Sequence, residues 1–187
     1  LVDPRDHGDV IVGVSCGGVW RTRDGGVNWT LCATGMRAAY MPPEQQFNAN
    51  VQDPHRIVRC ASAPDVLWTQ HHNGIFRSTD NAASWTEITT APRSSFGFAV
   101  AVHPADPDSA WFVPAVKDEC RVPCDAEFVV TSTRDGARTF ETLRSGLPPA
   151  PAYDLVYRHG LDVDAAGRSL AMGSPTGGLW ISADAGD

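Results

Sequence analysis

Two short segments of the sequence carry side chains that could act on a ligand. Asp53-Pro54-His55 supplies a carboxylate and an imidazole, and Gln70-His71-His72-Asn73 supplies two imidazoles between two amides. Neutral imidazole is a common metal ligand and titrates near neutral pH, so these groups suit metal binding, proton transfer or hydrogen bonding to a ligand. Because successive side chains on extended backbone point to opposite sides, only one of His71 and His72 is expected to face a common site.

A structural role is the other interpretation of these histidines. A buried histidine can simply be held by a backbone carbonyl, and three ligands close in space do not follow from this spacing alone. We therefore favour the structural interpretation and predict no metal and no cofactor. A metal-dependent function stays open through His55 and whichever of His71 and His72 faces the site.

Glycoside hydrolysis would need two carboxyl groups about 5 to 10 Å apart, one of them with a raised pKa. Four carboxylates are candidates: Asp53, Asp118, Glu119 and Asp154. An acidic surface loop is usually only solvated, so their presence does not by itself indicate catalysis. A serine nucleophile has no support, because neither Ser15 nor Ser174 lies in a Gly-x-Ser-x-Gly motif.

The composition excludes several classes of partner. The formal net charge is −7 and Lys117 is the only lysine, whereas nucleic-acid binding depends on clustered lysine and arginine. The longest apolar runs, such as residues 98 to 102, have the length of a strand and not of a membrane span. We therefore predict no nucleic-acid partner and no membrane partner.

The five cysteines are an odd number at irregular spacing, which does not suit a disulfide scaffold. Cys120 and Cys124 match neither a redox motif nor half of a standard zinc site, and both a loop disulfide and two free thiols stay open. The segment that begins at Leu1 has no features of a signal peptide, which leads us to expect a cytoplasmic location.

The elements that must position these groups are indicated by a repeated motif, Ser/Thr-x-Asp-x-Gly/Ala-x-x-Trp/Phe. Its aspartates, Asp24, Asp80, Asp135 and Asp184, are separated by 56, 55 and 49 residues. Four strands of about five residues with their turns occupy roughly 45 to 55 positions. The sequence therefore predicts an all-β chain, a β-propeller built of four-stranded antiparallel blades.

We assign residues 1–187 to a single propeller region, with blades at about 1–33, 51–91, 96–144 and 153–187. The fourth motif stops before its aromatic residue, so the chain holds about three and a half blades. A propeller must close on itself to protect its edges. We therefore expect this chain to be part of a larger propeller.

The repeated motif has a structural task in the turn between the third and fourth strands. The aspartate accepts hydrogen bonds from turn amides, glycine supplies a positive φ, and the aromatic residue packs the outer strand onto the blade. Ala82 and Ala137 replace glycine, so their turns should be slightly strained or differently shaped. The residues given this structural role are Thr22, Asp24, Gly26, Trp29, Ser78, Asp80, Trp85, Thr133, Asp135, Phe140, Ser182, Asp184 and Gly186.

Blade topology decides which loops can act together. Loops that enter the innermost strand and loops that join the second and third strands lie on one face, around the channel mouth, and the Asp-containing turns lie on the other. The ligand-binding candidates on the first face are Asp53, His55, Gln70, His71, His72, Asn73, Tyr153 and Asp154. We expect a small molecule, a glycan or a protein to bind there.

At the four motifs the chain resembles the sialidase-like BNR/Asp-box superfamily, which also contains sortilin-type domains and photosystem II assembly factor propellers. Residues 51–58, 67–80, 95–104, 146–149 and 152–160 are similar to a bacterial group of WD40/YVTN/BNR-like proteins often labelled glycosyl hydrolase or exo-sialidase. The resemblance implies a ligand- or protein-binding propeller, with a sialidase-like glycoside hydrolase as the alternative. Sialidases carry an Arg-Ile-Pro motif that this sequence lacks, which weakens the enzymatic interpretation.

Overall fold

Short apolar segments form fifteen β-strands in a computed structural model that describes residues 1–187. The first sheet contains β1 (Val2–Asp3), β2 (Asp6–Val14), β3 (Gly18–Thr22) and β4 (Thr30–Leu31). The second contains β5 (Pro54–Arg59), β6 (Leu67–His71), β7 (Gly74–Ser78) and β8 (Thr86–Ile88). The third contains β9 (Gly97–Val102), β10 (Ala110–Pro114), β11 (Val130–Thr133) and β12 (Glu141–Leu143). The fourth contains β13 (Leu161–Val163), β14 (Leu170–Gly173) and β15 (Leu179–Ser182).

Each strand pairs antiparallel with the next strand in its sheet, as successive hairpins require. Helical structure is limited to four 3₁₀ turns, Pro43–Gln45, Ala49–Val51, Cys124–Ala126 and Arg158–Gly160. No helix has the length and apolar character needed to cross a membrane. The predicted succession of four-stranded antiparallel sheets is confirmed for the first three, and the fourth has three strands within these 187 residues.

The sheets stack face to face through apolar side chains. Ile11 of the first sheet packs in one cluster with Leu67 and Phe76 of the second, and Trp68 packs in another with Phe112 of the third. A third apolar cluster joins the third and fourth sheets. The first strands of neighbouring sheets also lie against each other, β5 on β9 and β9 on β13. Consecutive sheets arranged about their innermost strands are blades of a β-propeller.

The four Asp-containing turns share the hydrogen bonds of their serine or threonine hydroxyl, which donates to the aspartate and accepts a backbone N–H. In the second turn, Ser78 Oγ donates to Asp80 Oδ1 at 2.8 Å and accepts from the backbone N–H of Ala82 at 3.0 Å, and Asp80 Oδ1 also accepts from the backbone N–H of Ser84 at 2.9 Å. The same bond between hydroxyl and carboxylate occurs at the other three turns, in the pairs Thr22 with Asp24, Thr133 with Asp135, and Ser182 with Asp184. The aspartate therefore organises the turn, as the sequence predicts.

Two consecutive residues with positive φ follow the aspartate in each of these turns. Gly25 and Gly26 fill the two positions in the first turn, whereas Ala82 in the second has φ 65° and Ala137 in the third has φ 75°. The left-handed conformation costs a residue with a side chain about 1 to 2 kcal/mol. The strain predicted for the two alanines is confirmed, while the turns keep the shape that glycine adopts.

The packing prediction for the aromatic residues holds only in part. Trp85 is 4% exposed and its indole N–H donates to the carbonyl of Cys32 at 2.9 Å, and Phe140 packs against the core between the second and third sheets. Trp29 is 41% exposed and donates to Gly26 of its own turn, so its predicted packing role is wrong. This position faces the preceding sheet, and no sheet precedes the first one within these 187 residues.

A buried network of charges joins the first two sheets near the Asp-containing turns. Asp3 on β1 lies 2.9 Å from Nη1 of Arg59 on β5, and both side chains are almost fully buried. The side-chain amide of Asn81 donates to Asp3 at 3.2 Å. Arg21 forms a second buried ion pair with Asp9 and donates to the backbone carbonyl of Asn81 at 2.7 Å. The junction between these sheets therefore combines apolar packing with paired charges.

Replacing Asp80 by alanine should destabilise the fold without affecting a ligand bound at the opposite end of the sheets. The carboxylate is exposed, so its bonds to Ser78 and Ser84 compete with water, and we expect a loss of about 1 kcal/mol in the free energy of unfolding. Urea unfolding measures this loss. Glu44→Ala, at an exposed carboxylate that is not part of such a turn, is the control. A variant of unchanged stability that no longer binds ligand would contradict the structural role of the turn.

Candidate functional site

Asp53 lies where three segments meet at one end of the first two sheets. Its backbone N–H donates to Nε2 of His71 at 2.9 Å, and its carbonyl accepts from the backbone N–H of His72 at 3.0 Å. Its carboxylate oxygen Oδ1 accepts from Ser15 Oγ at 2.8 Å and from the backbone N–H of Cys16 at 3.2 Å. The start of β5, the β6–β7 turn and the β2–β3 turn therefore meet on one face, as blade topology predicts.

The second carboxylate oxygen of Asp53 faces two imidazoles. Oδ2 lies 3.3 Å from Nδ1 of His72 and 3.8 Å from Nε2 of His55, and the three atoms lie within 4.8 Å of one another. The side chains of His55 and Asp53 are 3% and 8% exposed, whereas that of His72 is 25% exposed. We call Asp53, His55 and His72 the rim cluster; it is buried on the sheet side and open to solvent beside His72.

The surroundings fix the charge state of two members of the rim cluster. Burial opposes ionisation of Asp53, but the hydrogen bonds from Ser15 and Cys16 and the nearby imidazoles outweigh it, so the pKa of this carboxyl is lowered. Burial lowers the pKa of His55, whose Nδ1 lies 2.7 Å from the carbonyl of Gly97. That carbonyl can only accept, so Nδ1 of His55 carries the proton and Nε2 presents a lone pair towards Asp53.

His71 and His72 differ in burial although both contact Asp53, because His71 ends β6 and His72 lies in the β6–β7 turn and not on extended backbone. The ring of His71 has no exposed surface, and it accepts the backbone N–H of Asp53. Burial lowers the pKa of His71 to about 3, so this ring is neutral at physiological pH. His71 therefore holds the backbone that carries the site, while His72 faces the site itself.

The side-chain amides of Gln70 in β6 and Asn73 in the β6–β7 turn hold backbone groups in place. Gln70 is 1% exposed and donates to the carbonyls of Ser95 at 2.8 Å and Gly74 at 3.2 Å. The side-chain oxygen of Asn73 accepts from the backbone N–H of Ala39 at 2.8 Å. These contacts tie the turn to the segment before β9 and to the long segment between β4 and β5.

Tyr153 and Asp154, the remaining ligand-binding candidates, lie before β13 of the fourth sheet. Tyr153 is 62% exposed, and Asp154 accepts from Ser174 Oγ at 2.8 Å and from Thr176 Oγ1 at 2.5 Å in the β14–β15 turn. Neither residue forms a hydrogen bond or ion pair with the rim cluster. The segment reaches the rim cluster through Tyr157 instead, by way of Phe98.

A row of rings that the sequence analysis did not identify crosses this end of the molecule. Its centroid distances are 4.7 Å from Tyr40 to His72, 5.5 Å from His72 to His55, 4.7 Å from His55 to Phe98 and 4.8 Å from Phe98 to Tyr157. Tyr40 and Tyr157 at its two ends are 40% and 39% exposed. The available signal was their position, because Tyr40 and Tyr157 lie in the segments that lead into β5 and β13, and Phe98 is the second residue of β9. We call these five residues the ring row.

A cavity of about 510 Å³ lies at the fourth sheet and not at the rim cluster. Its lining is mainly apolar, with Leu143, Leu161 and Met172, and contains no imidazole or thiol. A smaller cavity of about 250 Å³ is lined by His55, Arg56 and His159. The candidate site is placed at the rim cluster because convergent polar groups, more than volume alone, define a specific binding site.

The loop between β10 and β11 contains the two cysteines of uncertain pairing. Cys120 is an exposed free thiol and Cys124 a partly buried one, and no disulfide is present. The same loop reaches the ring row through Arg121, whose guanidinium lies 5.4 Å from the centroid of the Phe98 ring. The loop therefore borders the candidate site through its arginine.

Comparison with models of known protein families finds no match, and comparison with curated proteins finds none either. Among solved structures, an ancestral GH74 enzyme aligns with a TM-score of 0.70 at 16% identity, over 97% of this chain and 24% of that one. A GH74 xyloglucanase from Xanthomonas campestris aligns with a TM-score of 0.65 at 16% identity, over 100% of this chain and 28% of that one. YCF48 bound to D1 peptide aligns with a TM-score of 0.52 at 14% identity, over 91% of this chain and 49% of that one.

These structures are β-propellers, and at such low identities the similarity shows the fold alone. The chain is thus an all-β protein with the fold of part of a β-propeller. It spans about a quarter of the length of the two GH74 structures.

The buried histidines should make stability depend on pH. A ring whose pKa is near 6.5 when unfolded and about 3 when folded binds a proton only on unfolding, so acid lowers stability below pH 6.5. For His71 we expect a loss of about 1.4 kcal/mol per pH unit between roughly pH 6 and 4. Urea unfolding at several pH values measures this slope.

His71→Gln should reduce that slope by about one proton, because the glutamine oxygen can still accept the N–H of Asp53. His7→Gln is the matched control, since His7 is exposed at the other end of β2. An identical slope in wild type and His71→Gln would contradict the neutral, buried state of His71.

Proposed function

We propose that this propeller is a binding protein that takes a small molecule, a glycan or a protein segment at the rim cluster and ring row. The observation that carries the proposal is the continuity of the ring row, which has exposed tyrosines at both ends and a buried carboxylate at its centre. Flat ring faces beside a few fixed polar groups suit ligands that have both an apolar surface and hydrogen-bonding groups.

The rigidity of the polar groups supports the proposal. Asp53 is held through its N–H, its carbonyl and Oδ1, while Oδ2 points towards His55 and His72. A group held in this way loses little conformational entropy when a ligand binds. One structural neighbour, YCF48, is bound to a peptide. This supports including a protein segment among the proposed ligands.

We also propose that the chain is an Asp-box propeller of the sialidase-like superfamily. It rests on the four turns, which share the bond from hydroxyl to aspartate and two left-handed residues after the aspartate. These features depend on backbone conformation and recur at every repeat.

A glycoside hydrolase is the alternative, and the carboxylates of this chain support it less well. A general acid needs a raised pKa, whereas that of Asp53 is lowered. Asp118 is paired with Arg121 at 2.6 Å, and Asp154 accepts two hydroxyl hydrogen bonds. The GH74 neighbours are enzymes by name, and their similarity to this chain extends only to the fold.

Ligand-observed NMR with sialyllactose, xyloglucan oligosaccharides and short peptides tests the binding proposal. We expect at least one probe class to bind, and His72→Ala and Tyr40→Ala each to weaken that binding by about tenfold, the effect of removing a central contact residue. His7→Ala, at the opposite end of β2, should bind as wild type does.

Two results would contradict the proposal. One is a folded protein that binds none of these probes at millimolar concentration, and the other is binding that both rim variants leave unchanged. Fluorogenic sialosides and other aryl glycosides are assayed in parallel. Turnover that Asp53→Asn abolishes would favour the hydrolase alternative.

A further inference from the structure

We propose that the rim cluster, Asp53, His55 and His72, binds one divalent first-row transition metal ion of the zinc type. The inference concerns the same rim as the proposed function and rests on that rim being a binding site. It requires no organic ligand, so the two proposals can fail separately.

The spacing of the three donor atoms suits a metal ion. Zinc bonds of 2.0 to 2.2 Å to nitrogen and oxygen place tetrahedral ligand atoms about 3.3 to 3.5 Å apart. Asp53 Oδ2 and His72 Nδ1 are already 3.3 Å apart, and Asp53 Oδ2 and His55 Nε2 are 3.8 Å apart. The two imidazole nitrogens lie within 4.8 Å of each other, so the two rings together would move closer by up to about 1.4 Å to reach this spacing.

The outer contacts orient the donor atoms as metal sites require. His55 donates from Nδ1 to the carbonyl of Gly97 at 2.7 Å, which leaves Nε2 as the free donor. Oδ1 of Asp53 accepts hydrogen bonds from Ser15 Oγ and from the backbone N–H of Cys16, which leaves Oδ2 free. Ligating histidines and carboxylates are usually fixed by such second hydrogen bonds.

Burial and donor chemistry narrow the choice of ion. Two imidazoles with one carboxylate suit zinc and its neighbours in the first transition row, whereas magnesium and calcium prefer oxygen ligands alone. Phe96 and Phe98 cover the ring of His55, and His72 forms the side exposed to solvent. A water or a ligand atom could reach a bound ion from this exposed side, which lies beside Tyr40.

A purely structural role explains His71 better than it explains His72. His71 accepts a backbone N–H, but His72 has no backbone partner for its ring, and its Nδ1 faces only the carboxylate. A protonated His72 paired with Asp53 is the competing arrangement, and it would bind no metal. Metal titration distinguishes the two.

The experiment is calorimetric titration of chelator-treated protein with Zn²⁺ and with Co²⁺, without organic ligand. We expect one ion per chain. Asp53→Asn and His72→Ala should each weaken binding by at least about 100-fold, and Ser15→Ala, which loosens only the outer contact, by about tenfold. Thermal unfolding of each variant verifies folding, and the exposed position of His72 makes His72→Ala the variant with the smallest expected structural effect.

Two controls exclude other metal ligands of the chain. His7→Ala removes an exposed imidazole, and the double variant Cys120→Ser with Cys124→Ser removes two free thiols. Both should keep wild-type affinity. Absence of one-equivalent binding to folded wild type, binding that survives Asp53→Asn and His72→Ala, or binding lost with the two thiols would each overturn the proposal. Repeating the organic-ligand panel with chelator present shows whether ligand binding stands without the metal.

Discussion

The backbone of Asp53 is held on both sides by the β6–β7 turn, through the ring of His71 and the N–H of His72, and the rest of the candidate site depends on this fixation. A buried backbone N–H needs a partner, and His71 supplies it from within the same sheet. The carboxylate of Asp53 also accepts a hydrogen bond from Ser15, in the turn between β2 and β3 of the first sheet. One residue thus links the first blade to the second and orients a carboxylate oxygen towards two imidazoles.

The neighbouring histidines have different tasks because His71 ends β6 and His72 lies in the β6–β7 turn. The inward ring of His71 is neutral and satisfies the main chain, so it cannot respond to a ligand without breaking the turn. The outward ring of His72 contacts Tyr40 and faces Asp53. The structural interpretation therefore applies to His71, and His72 is the ring of the pair that remains available to the proposed site.

The sequence was sufficient for the blades because the aspartate spacing of 49 to 56 residues reflects local turns and strand lengths. Strain at Ala82 and Ala137 was predictable for the same reason. The packing of Trp29 was predicted wrongly because it depends on a neighbouring sheet and not on its own turn. The ring row escaped notice because contacts such as Phe98 with Tyr157 depend on how inner strands of different blades are aligned, which no single repeat encodes.

The contacts between neighbouring sheets differ along the chain, and this affects how cooperatively the chain unfolds. Sheets one and two share the buried charges of Asp3 and Arg59, whereas sheets three and four meet through apolar side chains. Hydrogen bonds from Arg5 and the charge of Arg59 hold the pKa of Asp3 below its usual range, so the stability it contributes is present at neutral pH and is lost in acid. In a repeat architecture each unit is coupled mainly to its neighbours. Acid therefore weakens the coupling between the first two sheets, whereas the apolar junction between the third and fourth contains no buried ion pair that acid could break.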